Sequence, residues 1–390
     1  MSKLRVAIFQ EIFANRNRRG PHSFFPTLVA SYQKHKNTRC EVFLFVRTDD
    51  VEQLKKEYPE YLLHDHVVFL KTYNNRFKKI LENADLLWKL IKLRIGVLHT
   101  LSYSLDHGPT PALKFLVKWR TILKTKLAFL VTYPRIPEAY ANNFQGAFSN
   151  DIKYKIIFNS VRFDGIYAWY DDFIEWAKTS GEFPQQPLYK CIDSRFCDIE
   201  KYKPLEKKKQ IVWASALVDF KRPVMFVEAL IKVHTERPEL LQGFEVLMYG
   251  SGPLEQEVKD TIAHGNLQQV ITLHTNVNNM APIVNHSMIY VSTQSSENFP
   301  SLAMNEAMAA GNVILACNVG RTYLFVKDGK NGLLAKSDDV RGMADVIVEC
   351  LSSPQRWPAM MAYSRELCET VHTPENFIKE LEDFWIELRK

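Results

Sequence analysis

The chain has 390 residues, of which 46% are hydrophobic, and its formal net charge is +6. A chain of this length is too long for one ordinary hydrophobic core, so we expect two domains. The modest positive charge permits binding to an anionic ligand or a membrane surface and does not require a nucleic-acid partner. The six cysteines contain no Cys-x-x-Cys pair, which argues against a zinc module or a disulfide scaffold and indicates a reducing, cytoplasmic environment. The start MSKLRVAIFQ passes from a short basic stretch into a predicted strand, and no apolar run reaches the length of a membrane span, so we expect a soluble or peripheral protein.

In chain order, the first half alternates predicted strands with helical or charged stretches. Leu4 to Phe9 reads as a buried strand and Ser23 to Tyr32 as a helix, with the basic loop Asn15 to Gly20 between them. Further strands are predicted at Cys40 to Val46, His66 to Leu70, Gly96 to His99, Leu127 to Thr132 and Gly165 to Trp169. This alternation predicts a parallel sheet with helices on both faces.

The charged, proline-containing stretch Lys201 to Gln210 has the composition of an exposed linker, and the alternation restarts after it. The predicted elements are strands at Ile211 to Ala214, Phe244 to Tyr249 and Val270 to Leu273, and helices at Pro223 to His234 and Glu255 to His264. We therefore predict two Rossmann-like α/β domains, at residues 1–203 and 204–372, followed by a C-terminal helix within 373–390.

The segment STQSSENFPSLAMNEAMAAG, Ser292 to Gly311, sets two glutamates around the start of a small-residue helix. The apolar run before it predicts a buried strand, so the motif is strand, loop and helix, with Glu297 in the loop and Glu306 in the helix. A helix N-terminus attracts anions, and carboxylates bind hydroxyls, so the motif suits a sugar nucleotide. The backbone that we expect to meet the phosphates or the sugar belongs to Phe299, Pro300, Ser301 and Leu302, with Pro300 lacking an N–H donor.

This motif resembles the donor-binding signature of retaining GT-B glycosyltransferases of family four, in which seven residues separate the two glutamates. Here eight residues separate Glu297 from Glu306, which indicates a local insertion after Pro300. The resemblance implies that Glu306 holds the nucleotide ribose and that Glu297 approaches the donor sugar. The alternative is that both are ordinary surface and helix glutamates of an α/β domain.

Other segments of the second half also resemble this family. Lys221, in WASALVDFKRP, stands where the family has a lysine that clamps the donor diphosphate, whereas Ala216 stands where the family usually has an arginine. The turn YGSGP contains Gly250, where a small residue lets the backbone approach the ligand or simply closes a tight turn. Main-chain groups near Asn276 and Val277 are expected to hold the nucleobase.

The first half resembles the family only in outline. Gly20 and Arg19 resemble the glycine loop that faces the donor phosphate and the acceptor, although a solvated basic loop is the alternative. His99 ends a strand and is assigned a catalytic or substrate contact, the alternative being a buried structural histidine. The family's second histidine is replaced by Leu101.

The resemblance implies a GT-B fold whose two domains face a central cleft and whose C-terminal helix, 373–390, crosses back to the N-terminal domain. It also implies a glycosyltransferase that moves a sugar from a nucleotide-sugar donor with retention of configuration. We expect no metal and no cofactor besides the nucleotide-diphosphate sugar as co-substrate. The acceptor is expected to be a glycan, a lipid-linked glycan or a small molecule. The alternative is a degenerate, non-catalytic relative that binds a nucleotide sugar or a partner protein.

The basic segment 110–126 has the pattern of an amphipathic helix. It suits either packing on the sheet or peripheral contact with the inner face of a membrane. Nucleic-acid binding is not expected, because no binding module is recognisable.

Overall fold

The computed structural model describes residues 3–10, 28, 31–32, 34–35, 38–47, 51–52, 55, 66–72, 79–101, 118–119, 122–131, 135, 149–183, 187–275 and 279–390. The chain divides into two units. Unit 1 contains Met1–Ile192 and Phe377–Lys390, and unit 2 contains Asp193–Asn376.

Unit 1 is built on a parallel sheet of seven strands in the order β3-β2-β1-β4-β5-β6-β7. The strands are β1 (Leu4–Gln10), β2 (Cys40–Arg47), β3 (Val67–Leu70), β4 (Val97–Leu101), β5 (Lys126–Val131), β6 (Gly165–Ala168) and β7 (Leu188–Cys191). The described helices between them are α1 (Lys79–Lys92), α2 (Asn150–Ser160) and α3 (Asp171–Thr179). Strands β2 and β5 are continuous apolar runs because helices cover both faces of such a sheet.

Unit 2 is built on a parallel sheet of six strands in the order β10-β9-β8-β11-β12-β13. The strands are β8 (Lys208–Ala214), β9 (Glu245–Tyr249), β10 (Ile271–His274), β11 (Ser287–Ser292), β12 (Val313–Cys317) and β13 (Gly332–Ala335). The helices are α4 (Pro223–Glu236), α5 (Glu255–His264), α6 (Ala281–Val284), α7 (Leu302–Ala309), α8 (Val340–Leu351) and α9 (Trp357–Thr370). The prediction of two Rossmann-like parallel-sheet halves, the GT-B fold, is confirmed.

The strand order of unit 2 marks where a ligand is expected to bind. The chain runs from β8 outward through β9 to β10, then returns to β11 on the other side of β8 and continues outward to β13. Strands β8 and β11 are therefore neighbours whose following connections lead in opposite directions. In open α/β sheets, ligands bind beyond the carboxyl ends of the strands at such a switch point.

The last helix, α10 (Pro374–Arg389), belongs from Phe377 onward to unit 1. Its apolar face is buried, and Phe384 lies so close to Gly165 of β6 that a Cβ there would be 2.8 Å from the ring. Among the described residues, no helix combines the length and the apolar character needed to cross a membrane.

The predicted linker at Lys201–Gln210 needs a correction. Strand β8 already begins at Lys208, and the segment ahead of it is fastened to unit 2. The Arg365 guanidinium donates to the carbonyl oxygens of Ile199 and Tyr202, at 3.0 and 2.9 Å. Most of the segment is exposed, as its charge indicated, but it is not a free linker, because these hydrogen bonds to main-chain carbonyls fasten it to unit 2.

Candidate functional site

Two loops meet at the switch point of unit 2. One follows β8 and covers residues 215–222, and the other follows β11 and covers residues 293–301. The amide of Ser295 donates to the Phe220 carbonyl at 2.9 Å, and the Thr293 hydroxyl donates to the Lys221 carbonyl at 2.8 Å. Beneath them, Trp213 Nε1 donates to Thr293 Oγ1 at 2.9 Å. The two loops therefore form one rigid surface at the carboxyl edge of the sheet.

Lys221 provides the cation of this surface. Its ammonium donates to the side-chain oxygen of Gln294 and lies 4.9 Å from the centroid of the Phe220 ring. Burial lowers the pKa of Lys221 to about 8. An arriving anion would favour the ammonium form, because an opposite charge nearby stabilises the charged state.

The neighbouring Arg222 has a structural task. Its backbone is left-handed, with φ of 48°, and its Nε donates to the Thr293 carbonyl at 2.8 Å. The guanidinium also forms an ion pair with Asp338. Arg222 thus holds the two loops together through main-chain carbonyls and Asp338, whereas the Lys221 ammonium contacts the Gln294 side chain.

The Glu297 carboxylate joins the loop after β11 to the loop after β12. Only 7% of Glu297 is exposed, and its oxygens accept hydrogen bonds from the amide of Arg321 at 2.8 and 2.9 Å and from the amide of Phe299 at 2.9 Å. A Cβ added to Gly320 would lie 2.3 Å from Glu297 Oε2. The contact with the donor sugar that the sequence assigns to Glu297 stays a prediction.

The loop before α7 corrects part of the predicted phosphate cradle. The amide of Phe299 donates to Glu297, and the amide of Ser301 donates to the Asn298 carbonyl at 2.7 Å. Pro300, which follows a cis peptide bond, has no N–H. These backbone groups shape the loop, so the N–H groups predicted at Phe299 and Ser301 are already used within it.

The start of α7 retains amides that point to an anion site. Ser301 is the N-cap, and its hydroxyl accepts from the amide of Met304 at 3.3 Å. The amides of Leu302 and Ala303 belong to the first helical turn, where intrahelical acceptors are lacking. The partial positive charge of the helix start adds to these donors. Of the predicted amides, Leu302 therefore fits phosphate binding best.

Glu306 lies about one turn into α7. Burial raises the pKa of its carboxyl to about 7, while a hydrogen bond with Tyr202 and the charges of Lys201 and Arg195 act in the opposite direction. Near neutral pH the protonation of this carboxyl is therefore sensitive to small changes in nearby charge or burial, as is common for carboxyls in binding sites. The ribose contact predicted for Glu306 remains a prediction.

The unusual spacing of the two glutamates has a structural counterpart. If seven residues separated the two positions, the second would be Asn305, which is completely buried and accepts hydrogen bonds from the thiols of Cys197 and Cys368 at 3.5 and 3.3 Å. One residue turns the side chain by about 100° on a helix, so Glu306 leaves this buried position and remains partly exposed.

Gly250 allows the turn after β9 to pack on the loop after β8. A Cβ there would lie 1.8 Å from the Ser215 carbonyl oxygen, and the amide of Leu217 donates to the Ser251 carbonyl at 3.0 Å.

A pair of aromatic rings next to this turn was not predicted from the sequence. The rings of Tyr249 and His274, at the ends of β9 and β10, stack with centroids 4.6 Å apart and planes 12° apart.

His99 lies in the core of unit 1. It is completely buried, and its Nδ1 accepts a hydrogen bond from Trp385 Nε1 at 2.9 Å. Burial lowers the pKa of His99 to about 3, so the ring is neutral. Such surroundings are typical of a buried structural histidine, the alternative considered for His99, and its catalytic role stays a prediction. The other predicted site residues, Gly20, Arg19, Asn276 and Val277, lie outside the described residues.

Two pairs of consecutive aspartates, Asp171-Asp172 and Asp338-Asp339, have local structural roles. Asp339 caps α8 by accepting from the amide of Gly342 at 2.7 Å, and Asp338 pairs with Arg222. Asp172, at the start of α3, accepts from the amide of Phe173 at 2.7 Å. Within the described part of the chain, no three His, Cys, Asp or Glu side chains gather in a way that would hold a metal ion.

Comparison with known proteins identifies the domain that carries the candidate site. Residues 208–353 match the family model described as glycosyl transferases group 1. The GtfA subunit of the UDP-N-acetylglucosamine–peptide N-acetylglucosaminyltransferase of Streptococcus pneumoniae is 28% identical over 176 residues. That match covers 43% of this chain and 34% of that protein, so the chain spans only about a third of this relative's length.

Solved structures share the fold of the whole chain. A glycosyltransferase of Rickettsia africae superposes with a TM-score of 0.69 at 17% identity, covering 100% of both chains. HepE of Anabaena, solved in complex with UDP, superposes with a TM-score of 0.70 at 13% identity, covering 98% of this chain and 100% of that one. At these identities the likeness concerns the fold.

Proposed function

We propose that this chain, whose residues 208–353 belong to the glycosyl transferases group 1 family, transfers a sugar from a nucleotide-diphosphate sugar to a hydroxyl acceptor, with retention of configuration. The observation that carries the proposal is the placement of Lys221 and the start of α7 on the joined loops at the switch point between β8 and β11. A cation and helical amides at this position suit a diphosphate.

The donor is proposed to carry uridine diphosphate. The support is that GtfA is named for UDP-N-acetylglucosamine and that HepE was solved with UDP. The stacked rings of Tyr249 and His274 lie at the carboxyl edge beside the turn that contains Gly250. A flat aromatic pair at this position is suited to a neighbouring planar base.

In the proposed reaction, the bond between the anomeric carbon and the diphosphate oxygen breaks, and the nucleoside diphosphate leaves with the electron pair. The acceptor hydroxyl oxygen bonds to the anomeric carbon, and its proton passes to the leaving phosphate oxygen. Lys221 and the amides of Leu302 and Ala303 stabilise the negative charge that develops on the leaving group. Glu306 accepts hydrogen bonds from the ribose hydroxyls, and Glu297 approaches the donor sugar. Orientation and charge stabilisation then supply most of the rate enhancement.

The acceptor is proposed to be a glycan or a lipid-linked glycan, which suits a protein working in the cytoplasm at the inner face of a membrane. The basic segment 110–126 belongs to this proposal as a peripheral contact with the bilayer. Its described residues are 118–119 and 122–126, of which Lys118 and Trp119 are exposed.

Calorimetry with UDP, UDP-glucose and UDP-N-acetylglucosamine tests the donor site. We expect the wild-type chain to bind at least one of them, and Lys221→Met to bind it about 10- to 100-fold more weakly. The matched control is Lys232→Met, since Lys232 lies on α4 and pairs with Glu236. Absence of binding by the wild-type chain, or equal binding by both variants, would contradict the proposal.

Activity is tested separately, by following release of UDP from any donor that binds. Slow release without an acceptor, accelerated by an extract of glycans or glycolipids, would support transfer. Tight donor binding with no release under any condition would favour a binding protein that does not catalyse transfer.

A further inference from the structure

Helix α1 of unit 1 exposes an apolar stripe. Ile80, Leu81, Trp88 and Ile91 are 74%, 51%, 54% and 57% exposed. With Ala84, which is also exposed, residues 80, 84, 88 and 91 follow the spacing of one helical face. Isolated exposed apolar residues are ordinary, but four large ones on one helix form a continuous patch.

The orientation of α1 is set by its other face. Leu86 and Leu90 are 2% and 1% exposed, so they pack into the core of unit 1. Lys89 pairs with Asp85 at 2.6 Å, and Asp85 accepts from the amide of Lys71 at 2.8 Å. Because this face is anchored to the end of β3, the apolar stripe is directed away from the sheet.

A second apolar edge precedes β5. Trp119 is 40% exposed and Ile122 is 71% exposed. The connection from β3 to β4 and the connection from β4 to β5 cross the sheet in the same direction. Right-handed crossovers in the same direction lie on the same face of a sheet, so both apolar edges belong to one face of unit 1.

Cations border both apolar edges. Lys92 Nζ lies 4.7 Å from the Trp88 ring centroid, and Arg94 is exposed just beyond α1. Lys118 and Lys124 are exposed next to Trp119 and Ile122. Arg94 and Lys124 stand at similar places, three residues before the start of β4 and two before that of β5, with φ of 53° and 51°. A long basic residue thus replaces the glycine that such left-handed positions favour.

We propose that this face of unit 1, formed by α1 and the described residues 118–119 and 122–124, docks on the surface of an anionic phospholipid bilayer. Tryptophans and aliphatic side chains would enter the headgroup region, while the bordering lysines and arginine would contact the lipid phosphates. Charge complementarity favours this occupant over a second copy of the chain, which would bring the same cations into contact. The inference does not depend on the donor site.

Co-sedimentation with vesicles tests the surface. The full chain is mixed with vesicles of phosphatidylcholine alone and of phosphatidylcholine with phosphatidylglycerol. We expect binding to the anionic vesicles that falls with added salt. The double variant Trp88→Ser, Ile91→Ser is expected to lose this binding, and Lys92→Gln, Arg94→Gln to weaken it about fivefold for each cation removed.

The matched control is Leu205→Ser, which removes an apolar side chain that is 42% exposed on unit 2. Circular dichroism confirms that each variant is folded, and UDP binding checks the donor site separately. The proposal is overturned if the wild-type chain ignores anionic vesicles or if the double variant binds them equally well. It is also overturned if light scattering shows a dimer that the Trp88→Ser, Ile91→Ser variant abolishes, because that would assign the face to a second copy.

Discussion

The carboxylate of Glu297 accepts the backbone N–H of Arg321 with both of its oxygens, at 2.8 and 2.9 Å. This contact joins the loop after β11 to the loop after β12, two neighbouring strands of the unit 2 sheet. The loop that leads to α7 can keep this position only if residue 320 is a glycine, because the side chain of any other residue there would collide with the Glu297 carboxylate.

We first predict that Gly320→Ala destabilises the protein and weakens UDP binding. The new Cβ would lie 2.3 Å from Glu297 Oε2, and the backbone φ of +50° disfavours a side chain. The left-handed conformation alone costs about 1–2 kcal/mol, and the displaced carboxylate adds to this. Urea unfolding and calorimetry measure the two effects.

Gly243→Ala is the matched control for this strain. Gly243 has a φ of +77° and no neighbouring atom within 4 Å of an added Cβ. We expect it to lose stability only through the backbone conformation and to bind UDP normally. Equal effects of the two substitutions on UDP binding would refute the coupling between Gly320 and Glu297.

The second prediction concerns the pH dependence of stability caused by Glu306. Its pKa is raised from 4.5 to about 7 in the folded protein, so the folded state holds an extra proton between these values. Stability contributed by the protonated carboxyl is complete below pH 4.5 and is lost as the pH rises through 7.

Glu306→Gln removes this titration. We expect the variant to gain stability relative to the wild type at pH 8, by on the order of 1–3 kcal/mol, and to bind UDP more weakly. Urea unfolding at pH 5 and pH 8 measures the difference. The surface variant Glu349→Gln is the control, and a parallel pH slope for all three proteins would refute the role assigned to burial of Glu306.

Third, UDP affinity should depend on the protonation of Lys221. Burial lowers the pKa of this ammonium to about 8 in the protein without ligand. Above this pH the Lys221 amine must take up a proton when UDP binds. We therefore expect the affinity for UDP to fall about tenfold for each pH unit above 8. Calorimetry in buffers of different ionisation enthalpy reports the proton uptake.

Lys221→Arg supplies the comparison, because an arginine stays protonated over this range. Its affinity for UDP, even if lower at neutral pH, should change less with pH than that of the wild type. An identical pH profile for both proteins would assign the titration to another group.

A fourth prediction is that Arg365 positions Tyr202 next to Glu306. One nitrogen of its guanidinium donates to the carbonyls of Tyr202, Ile199 and Ala309, the last at 2.8 Å. Ala309 ends α7, so one cation holds both the helix that carries Glu306 and the chain segment of its partner Tyr202.

Arg365→Met should lower the free energy of unfolding by about 1.5–3 kcal/mol, as expected for a lost charged hydrogen-bond donor. It should also shift the pH at which the Glu306-dependent stability change occurs, which a purely structural role would leave unchanged. Arg356→Met is the control, since Arg356 forms a more exposed ion pair with Glu349.

Much of the fold was predictable because the apolar runs are long and buried. Predicted strands such as Cys40 to Val46 and Phe244 to Tyr249 agree with the observed β2 and β9 to within a residue or two. Helix α5 has the predicted bounds, Glu255 to His264. Strand β7, a partly buried edge strand at Leu188–Cys191, escaped prediction because a short, half-exposed strand has little apolar signal.

The candidate site was only partly predictable. The lysine and the two glutamates could be proposed from their motifs, since these residue types suit the chemistry of a phosphate and a sugar, and their roles stay predictions. The stacked pair Tyr249 and His274 was missed. The two residues lie far apart in the sequence, and their rings meet only because β9 and β10 are neighbouring parallel strands.

The sequence by itself determined that the chain forms two parallel-sheet halves with intervening helices, and it indicated the kind of chemistry proposed for the second half. These properties depend on local periodicity and residue type, which a linear pattern contains. Only the tertiary structure decided which groups are already used within the protein. The amides of Phe299 and Ser301, the Glu297 carboxylate and the His99 ring all have partners that come from hydrogen bonding and burial in three dimensions. Whether a polar group serves the fold or a ligand depends on its neighbours, and those neighbours are set by packing.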